Sequence, residues 1–283
     1  MNGVLVIDKP KGMTSFAVVA KVRRALGVKK VGHTGTLDPM ATGVLVVCVG
    51  EGTKIAGLLA GEDKVYEVTG LLGVETDTLD ITGKETARHD PSRVCREEVE
   101  NALETFVGEI EQVPPAFSAV HTDGERAYEK ARRGEEVNLS ARRVKINRLN
   151  LKDWREPYFD FCVECSKGTY VRSLVADLGK KLGCGATLAA LRRVRNGYFD
   201  LGHSVSLEEL ASKGPIQFRD IDSALLHLPA VEVDEEQAKR VRQGQPLDID
   251  ISDGLVRIKY RGKIIALGER RDGRLWPKRV FCL

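Results

Sequence analysis

Six apolar residues in a row, Val44–Val49, predict a buried strand. Directly before them lies GHTGTLDPMATG, a glycine-rich loop. A loop fixed to a rigid strand is where chemistry is usually placed. Val4–Ile7 predicts a second short strand, which runs into a turn at Asp8-Lys9-Pro10-Lys11-Gly12. Thr14 or Ser15 then caps a helix whose apolar residues are Phe16, Val18, Val19, Val22 and Leu26, and Gly27 ends it. Thr53–Ala60 predicts a short helix and Lys64–Gly73 a strand. Residues 74–91 are polar and acidic and read as a loop. Arg96–Val107 is an amphipathic helix, apolar at Val99, Ala102, Leu103, Phe106 and Val107, stopped by Gly108.

The pattern changes over residues 113–148. Pro114-Pro115 opens this segment, Glu125–Arg133 looks helical, Gly134 ends it, and ARRVKINR supplies a basic strand. Residues 143–154 and 158–165 predict two strands joined at Arg155-Glu156-Pro157. The second strand contains FDFCVEC, whose alternation sends Cys162 and Cys165 to opposite faces. A helix follows with Val171, Leu174, Val175, Leu178 and Leu182 on one face and Tyr170 and Arg172 at its start. Residues 206–228 predict two short helices, and a domain boundary falls near Leu228-Pro229. Beyond it, Glu235–Gln243 reads as a helix. The strands Leu255–Tyr260, Lys263–Leu267 and Leu275–Phe281 follow, with turns at Arg261-Gly262 and Asp272-Gly273.

Composition narrows the class. With 283 residues, 42% of them hydrophobic and 30% charged, the chain has material for two globular domains. The formal net charge is only +3, so basic character is local: Arg23-Arg24, Lys29-Lys30, Arg132-Arg133, Arg142-Arg143, Arg192-Arg193 and Arg270-Arg271. Such doublets suit a surface that follows a phosphate backbone. No apolar run approaches a membrane span, and Lys9 and Lys11 interrupt the first apolar stretch, which argues against a signal peptide. The six cysteines read as reduced thiols of a cytoplasmic protein. No metal-ligand spacing is present, and the glycine-rich loop lacks the GKS or GKT ending of a phosphate-binding P-loop.

On spacing alone, Asp38 is a turn cap before Pro39 and His33 a hydrogen-bonding loop residue. The longer stretch GHTGTLDPMATGVL, however, closely resembles the signature of the TruB family of tRNA pseudouridine synthases. DKPKGMTS resembles that family's first motif, the DKxY pattern around Tyr66 its second catalytic segment, GTYVRSL a third, and LRR at 191–193 its last. The resemblance implies an α+β pseudouridine synthase fold: a largely antiparallel sheet flanked by helices in residues 1–228. It adds a thumb-like insertion at about 113–148 and a small PUA-like RNA-binding domain in 229–283. It also implies isomerisation of uridine to pseudouridine at position 55 in the T loop of tRNA.

The same resemblance assigns roles. Asp38 is the nucleophile, Arg172 pairs with it, and Tyr66 stacks on the flipped-out base and is a candidate proton acceptor. Leu191 packs on the other side of the base. His33 and Tyr170 line the pocket, and Lys9 buttresses the loop. Arg192 and Arg193 are expected to serve the RNA backbone. His121 stands where family members often carry Lys, so a phosphate contact there would be pH-sensitive. An Arg beside Asp38 has a physical reason: burial alone would neutralise the carboxylate, and a guanidinium keeps it ionised and oriented. Asp38 attacks the sugar C1′ or the base C6, or removes a proton first. The reaction needs neither oxidant nor energy, so no cofactor or metal is expected. The expected partner is the tRNA T stem-loop, bound by a monomer without guide RNA. A non-catalytic tRNA-binding or tRNA-folding protein on the same scaffold is the alternative.

Overall fold

The two apolar runs near the N-terminus become paired strands. In the computed structural model, which describes residues 1–118, 120–122, 124–212 and 218–283, β1 (Gly3–Lys9) is followed by α1 (Ser15–Leu26). β2 (Val31–His33) and β3 (Thr42–Val49) come next, and β3 lies antiparallel to β1 with Leu5 opposite Val47. Thr14 caps α1 by accepting from the Ala17 amide, and Gly27 closes it in the left-handed conformation. A 3-10 turn and α2 (Ala56–Ala60) lead into β4 (Lys64–Leu72).

Residues 74–91 depart from the expected loop. They contain a hairpin of β5 (Val74–Thr76) and β6 (Glu85–Arg88), strands too short for alternation to register in the sequence. α3 (Arg96–Glu104) ends three residues earlier than its apolar pattern, and Gly108 at φ +109° opens β7 (Gly108–Gln112). A minimal pair, β8 (His121–Thr122) and β9 (Glu125–Arg126), precedes α4 (Ala127–Arg132). β10 (Arg142–Arg155) and β11 (Tyr158–Cys165) form the predicted antiparallel pair. α5 (Val171–Lys181) and β12 (Ala186–Asn196) follow.

Then come β13 (Phe199–Asp200), β14 (Ser204–Val205), α6 (Leu207–Ala211) and β15 (Phe218–Asp220). The second helix expected in 206–228 is only a 3-10 turn at Ser223–Leu225, because Ala224 and Leu225 need a single turn to reach the core. Part of that stretch, 213–217, lies outside the described residues. The chain finishes with β16 (Ala230–Glu232), α7 (Glu235–Arg242), β17 (Leu255–Tyr260), β18 (Lys263–Arg271) and β19 (Arg274–Val280).

Eleven strands make one sheet whose main path runs β14-β1-β3-β12-β4-β11-β10-β7. Most pairs are antiparallel, but β12 is parallel to β3 and β14 parallel to β1. One face is covered by helices. Val18 and Val22 of α1 pack on Leu5, Ile7, Leu45 and Val47, and the apolar face of α5 packs with Val68, Leu72, Phe161 and Val163. On the opposite face, Val4, Val6, Val44 and Val46 meet Ile264, Leu267 and Phe281 from the C-terminal region. There β16–β19 form a four-stranded sheet around their own core, including Val233, Val241, Val256 and Ile258. Cys162 is half-buried and Cys165 buried, as the alternation predicts, and all six cysteines are free thiols. Among the described residues, no helix is long and apolar enough to cross a membrane.

Candidate active site

The loop between β2 and β3 is held from several sides. The buried Ser15 hydroxyl donates to Leu37 O at 3.0 Å and accepts from the Leu37 amide at 2.8 Å. The Gly12 amide donates to Pro39 O at 2.7 Å. Lys9, fully buried, aims its ammonium at three carbonyls: Met13 O at 2.6 Å, Pro10 O at 3.0 Å and Pro39 O at 3.5 Å. Burial lowers the Lys9 pKa to about 8, opposed by Asp38. The Lys-Pro turn therefore braces the loop on which Asp38 sits.

Arg172 reaches the loop from the first turn of α5. Its Nε lies 3.0 Å from Asp38 Oδ2. Its other nitrogens are also engaged: Nη1 donates to Thr78 O and Nη2 to Phe117 O, each at 2.9 Å, and Nη1 stands 3.7 Å from Asp80 Oδ2. The Arg172 side chain is only 5% exposed, against 35% for Asp38, so the carboxylate keeps an open side. Asp80 is fixed in turn, accepting from the Thr82 amide at 2.9 Å and from the Thr78 hydroxyl at 3.0 Å. Gln112 clamps the residue before α5, accepting from the Tyr170 amide at 2.7 Å and donating to Tyr170 O at 3.0 Å.

Burial pushes the Asp38 pKa up; Arg172 pulls it down most strongly, Asp80 pushes it up, and Lys9 lowers it. The net direction is upward, so the guanidinium offsets burial without cancelling it. A carboxylate raised in this way protonates at a pH above its ordinary value of about 3.9. If ionised Asp38 is required, activity will fall on acidification before an ordinary carboxylate would titrate. A profile of turnover against pH checks this, and an acid limb at or below that ordinary value would contradict it.

Tyr66 on β4 and Leu191 on β12 sit on neighbouring strands and share the apolar cluster that includes Leu37 and Met40 of the loop. Tyr66 is buried, which raises its phenol pKa. His33 is not drawn into the Asp38–Arg172 pair: burial, then Arg193, lower its pKa, and its Nδ1 is buried without a hydrogen-bond partner. Tyr170 stands at the start of α5 with the Arg142 guanidinium 5.3 Å from its ring centre. His121 is exposed on β8.

The expectation for the LRR arginines fails at Arg193, which is buried, and is untouched at Arg192, which is partly exposed. Arg192 makes a two-pronged ion pair with Asp8, Nη2–Oδ2 2.7 Å and Nη1–Oδ1 3.1 Å. Arg193 is 1% exposed, donating to Val44 O and Gly35 O. Adjacent strand residues point to opposite faces, so the two could never have tracked one phosphate backbone together. Asp80, Gln112 and Ser15 also escape a sequence reading. Only the alternation of β12 held a usable hint, and it concerned Arg193.

Two solved assemblies share this architecture. "Crystal Structure of a Cbf5-Nop10-Gar1 Complex" aligns with a TM-score of 0.72 at 27% identity, over 94% of this chain and 78% of that chain. "Structure of H/ACA RNP bound to a substrate RNA containing 2'-deoxyuridine" aligns with a TM-score of 0.75 at 25% identity, over 99% and 85%. Residues 23–171 match the TruB family pseudouridylate synthase N-terminal domain. The fold is thus that of the pseudouridine synthases. Residues 172–226 match the tRNA pseudouridylate synthase B C-terminal domain, and 229–281 the Pseudouridine synthase II TruB C-terminal region. The tRNA pseudouridine synthase B of Azoarcus sp. (strain BH72) is 44% identical over 288 residues, spanning 100% of this chain and 95% of its own. That of Aromatoleum aromaticum (strain DSM 19018 / LMG 30748 / EbN1) is 45% identical over 287 residues, spanning 99% and 92%. The chain belongs to the TruB family of pseudouridylate synthases.

Proposed function

We propose that the protein isomerises uridine to pseudouridine in tRNA, at position 55 of the T loop. The observation that carries the reading is the half-open Asp38 carboxylate held at 3.0 Å by an otherwise buried arginine. In this reaction the N1–C1′ bond breaks, the uracil turns, a C5–C1′ bond forms, the C5 proton leaves and N1 gains one. Nothing is oxidised or reduced. Asp38 acts as the nucleophile and Arg172 keeps it ionised and aimed. Tyr66 and Leu191 hold the flipped base between them, where a stacking contact contributes roughly 1–3 kcal/mol toward the cost of flipping. His33 and Tyr170 complete the pocket wall, and Lys9 acts only through the loop.

We place the catalytic domain at 1–228, with the thumb-like insertion at about 113–148, and a PUA-like RNA-binding domain at 229–283. The separate core around Val241 and Ile258 supports that division. The Asp222 carboxylate, which pairs with Arg257 and Lys259 at 2.9 Å each, would fasten the two parts. We read the protein as a stand-alone monomer acting on cytoplasmic tRNA without a guide RNA.

The test is tritium release from 5-tritiated uridine in an isolated T stem-loop, with no other protein or RNA present. Release at catalytic protein concentration is the expected result. Tight binding with no release would move the function to tRNA folding, or to a reaction that needs a missing component.

A further inference from the structure

Arg193 is the largest fully buried side chain among the described residues, and none of the carboxylates among them lies within ion-pair distance of it. Its charge is met by two carbonyls instead: Nε donates to Val44 O at 2.7 Å and Nη2 to Gly35 O at 3.2 Å. Those carbonyls flank Asp38, one on each limb of the loop. The backbone of Arg193 stands opposite Gly43 of β3 on one side and opposite Tyr66 of β4 on the other. One glycine makes this approach possible: a Cβ at Gly43, whose φ is +99°, would lie 2.2 Å from Arg193 O.

A buried cation without an acid is costly, and proteins rarely keep one without use. The guanidinium is felt by four ionisable groups around it: it lowers the pKa of Lys9, His33 and Lys64, and it counters part of the rise that burial imposes on the Tyr66 phenol. Of these groups only Tyr66 becomes negative when it gives up its proton.

Building on the role proposed for Tyr66, we infer that Arg193 is a positioning residue of the reaction. It ties the Asp38 loop to the Tyr66 strand and supplies the positive charge that stabilises the Tyr66 phenolate. In the step concerned, the C5–H bond breaks and its electron pair returns to the ring as the C5–C6 double bond. The proton passes to the phenolate oxygen, and the resulting phenol returns it to water, from which N1 takes its own. A preorganised charge beside a developing or reacting anion is a large contributor to catalysis when water is excluded.

The experiment compares native protein, Arg193→Gln and Arg193→Lys on a T stem-loop carrying 5-tritio- or 5-deuterio-uridine, with thermal melting as the check on folding. Arg193→Gln is expected to lose about tenfold or more in kcat with little change in KM, and to acquire a 5-deuterium isotope effect on kcat. The isotope effect is the discriminating signal, because loosened packing alone would not make C5–H cleavage limiting. Arg193→Lys keeps a cation and should recover part of kcat and reduce the isotope effect. Native protein that releases no tritium would overturn the substrate reading together with this one. Native release, combined with Arg193→Gln at native kcat, a loss without an isotope effect, or equal losses in both variants, would overturn the role of Arg193 alone.

Discussion

Asp38→Asn is expected to lower turnover on the T stem-loop on the order of 10⁴-fold or more, while RNA affinity stays within a few-fold. Asparagine matches the carboxylate in shape, so the loop held by Ser15, Lys9 and the Gly12 amide should keep its course. What vanishes is the carboxylate proposed as nucleophile. Arg172 would then face an amide at the position of Asp38 while still having Asp80 at 3.7 Å and two carbonyls, so its own burial remains tolerable. Single-turnover tritium release beside filter binding separates the two quantities. Turnover within tenfold of native would remove Asp38 from its role.

Arg172→Ala should damage stability as well as activity. Its guanidinium joins the Asp38 loop, Asp80 beside the β5–β6 hairpin, and Phe117 O of the segment after β7. Removing one partner of a buried ion pair costs about 3–5 kcal/mol, because the remaining charge is stranded. In a chain of this size that corresponds to a fall in melting temperature of roughly 10 °C. The same change takes away the main influence holding the Asp38 pKa down, so the acid limb of any residual activity should move to higher pH. Lysine is no remedy, since a compact ammonium cannot span four acceptors lying in different directions. A melting curve matching the native one would show that the pair contributes nothing to the fold.

The legible part of the site was the part carried by contiguous motifs. Asp38 stands in a long loop signature, and Arg172, Tyr66 and Leu191 each sit in a short one, so the resemblance to the family pointed to them, where spacing alone did not. Asp80 was illegible because its neighbours Thr78, Thr82 and Gly83 are ordinary turn residues, and only the arrival of α5 from nearly a hundred residues away gives that turn a cation. Arg193 was misread for a related reason. Arginine doublets usually lie in solvent, and burial of one member depends on which strands flank β12, which no local pattern records. Most main strands and helices followed from apolar periodicity; the central strand β12 did not, and the β5–β6 hairpin and β15 are too short to have one. The parallel contact between β12 and β3 is likewise a matter of long-range pairing.

That contact bears on the order of events while the chain is being made. β3 carries the loop of Asp38 and β4 carries Tyr66; they are sequence neighbours, yet β12 lies between them in the sheet. A ribosome must synthesise up to Asn196 before the intervening strand exists, and β1 waits longer still for its partners β14 and β15. Pairings of such long sequence separation form slowly and leave strand edges open in the meantime. The nascent N-terminal half therefore emerges with Asp38 and Tyr66 both present and not yet side by side. Truncated products ending before β12 should depend on chaperones, and catalytic competence should appear late in folding, when the wedge strand closes the gap.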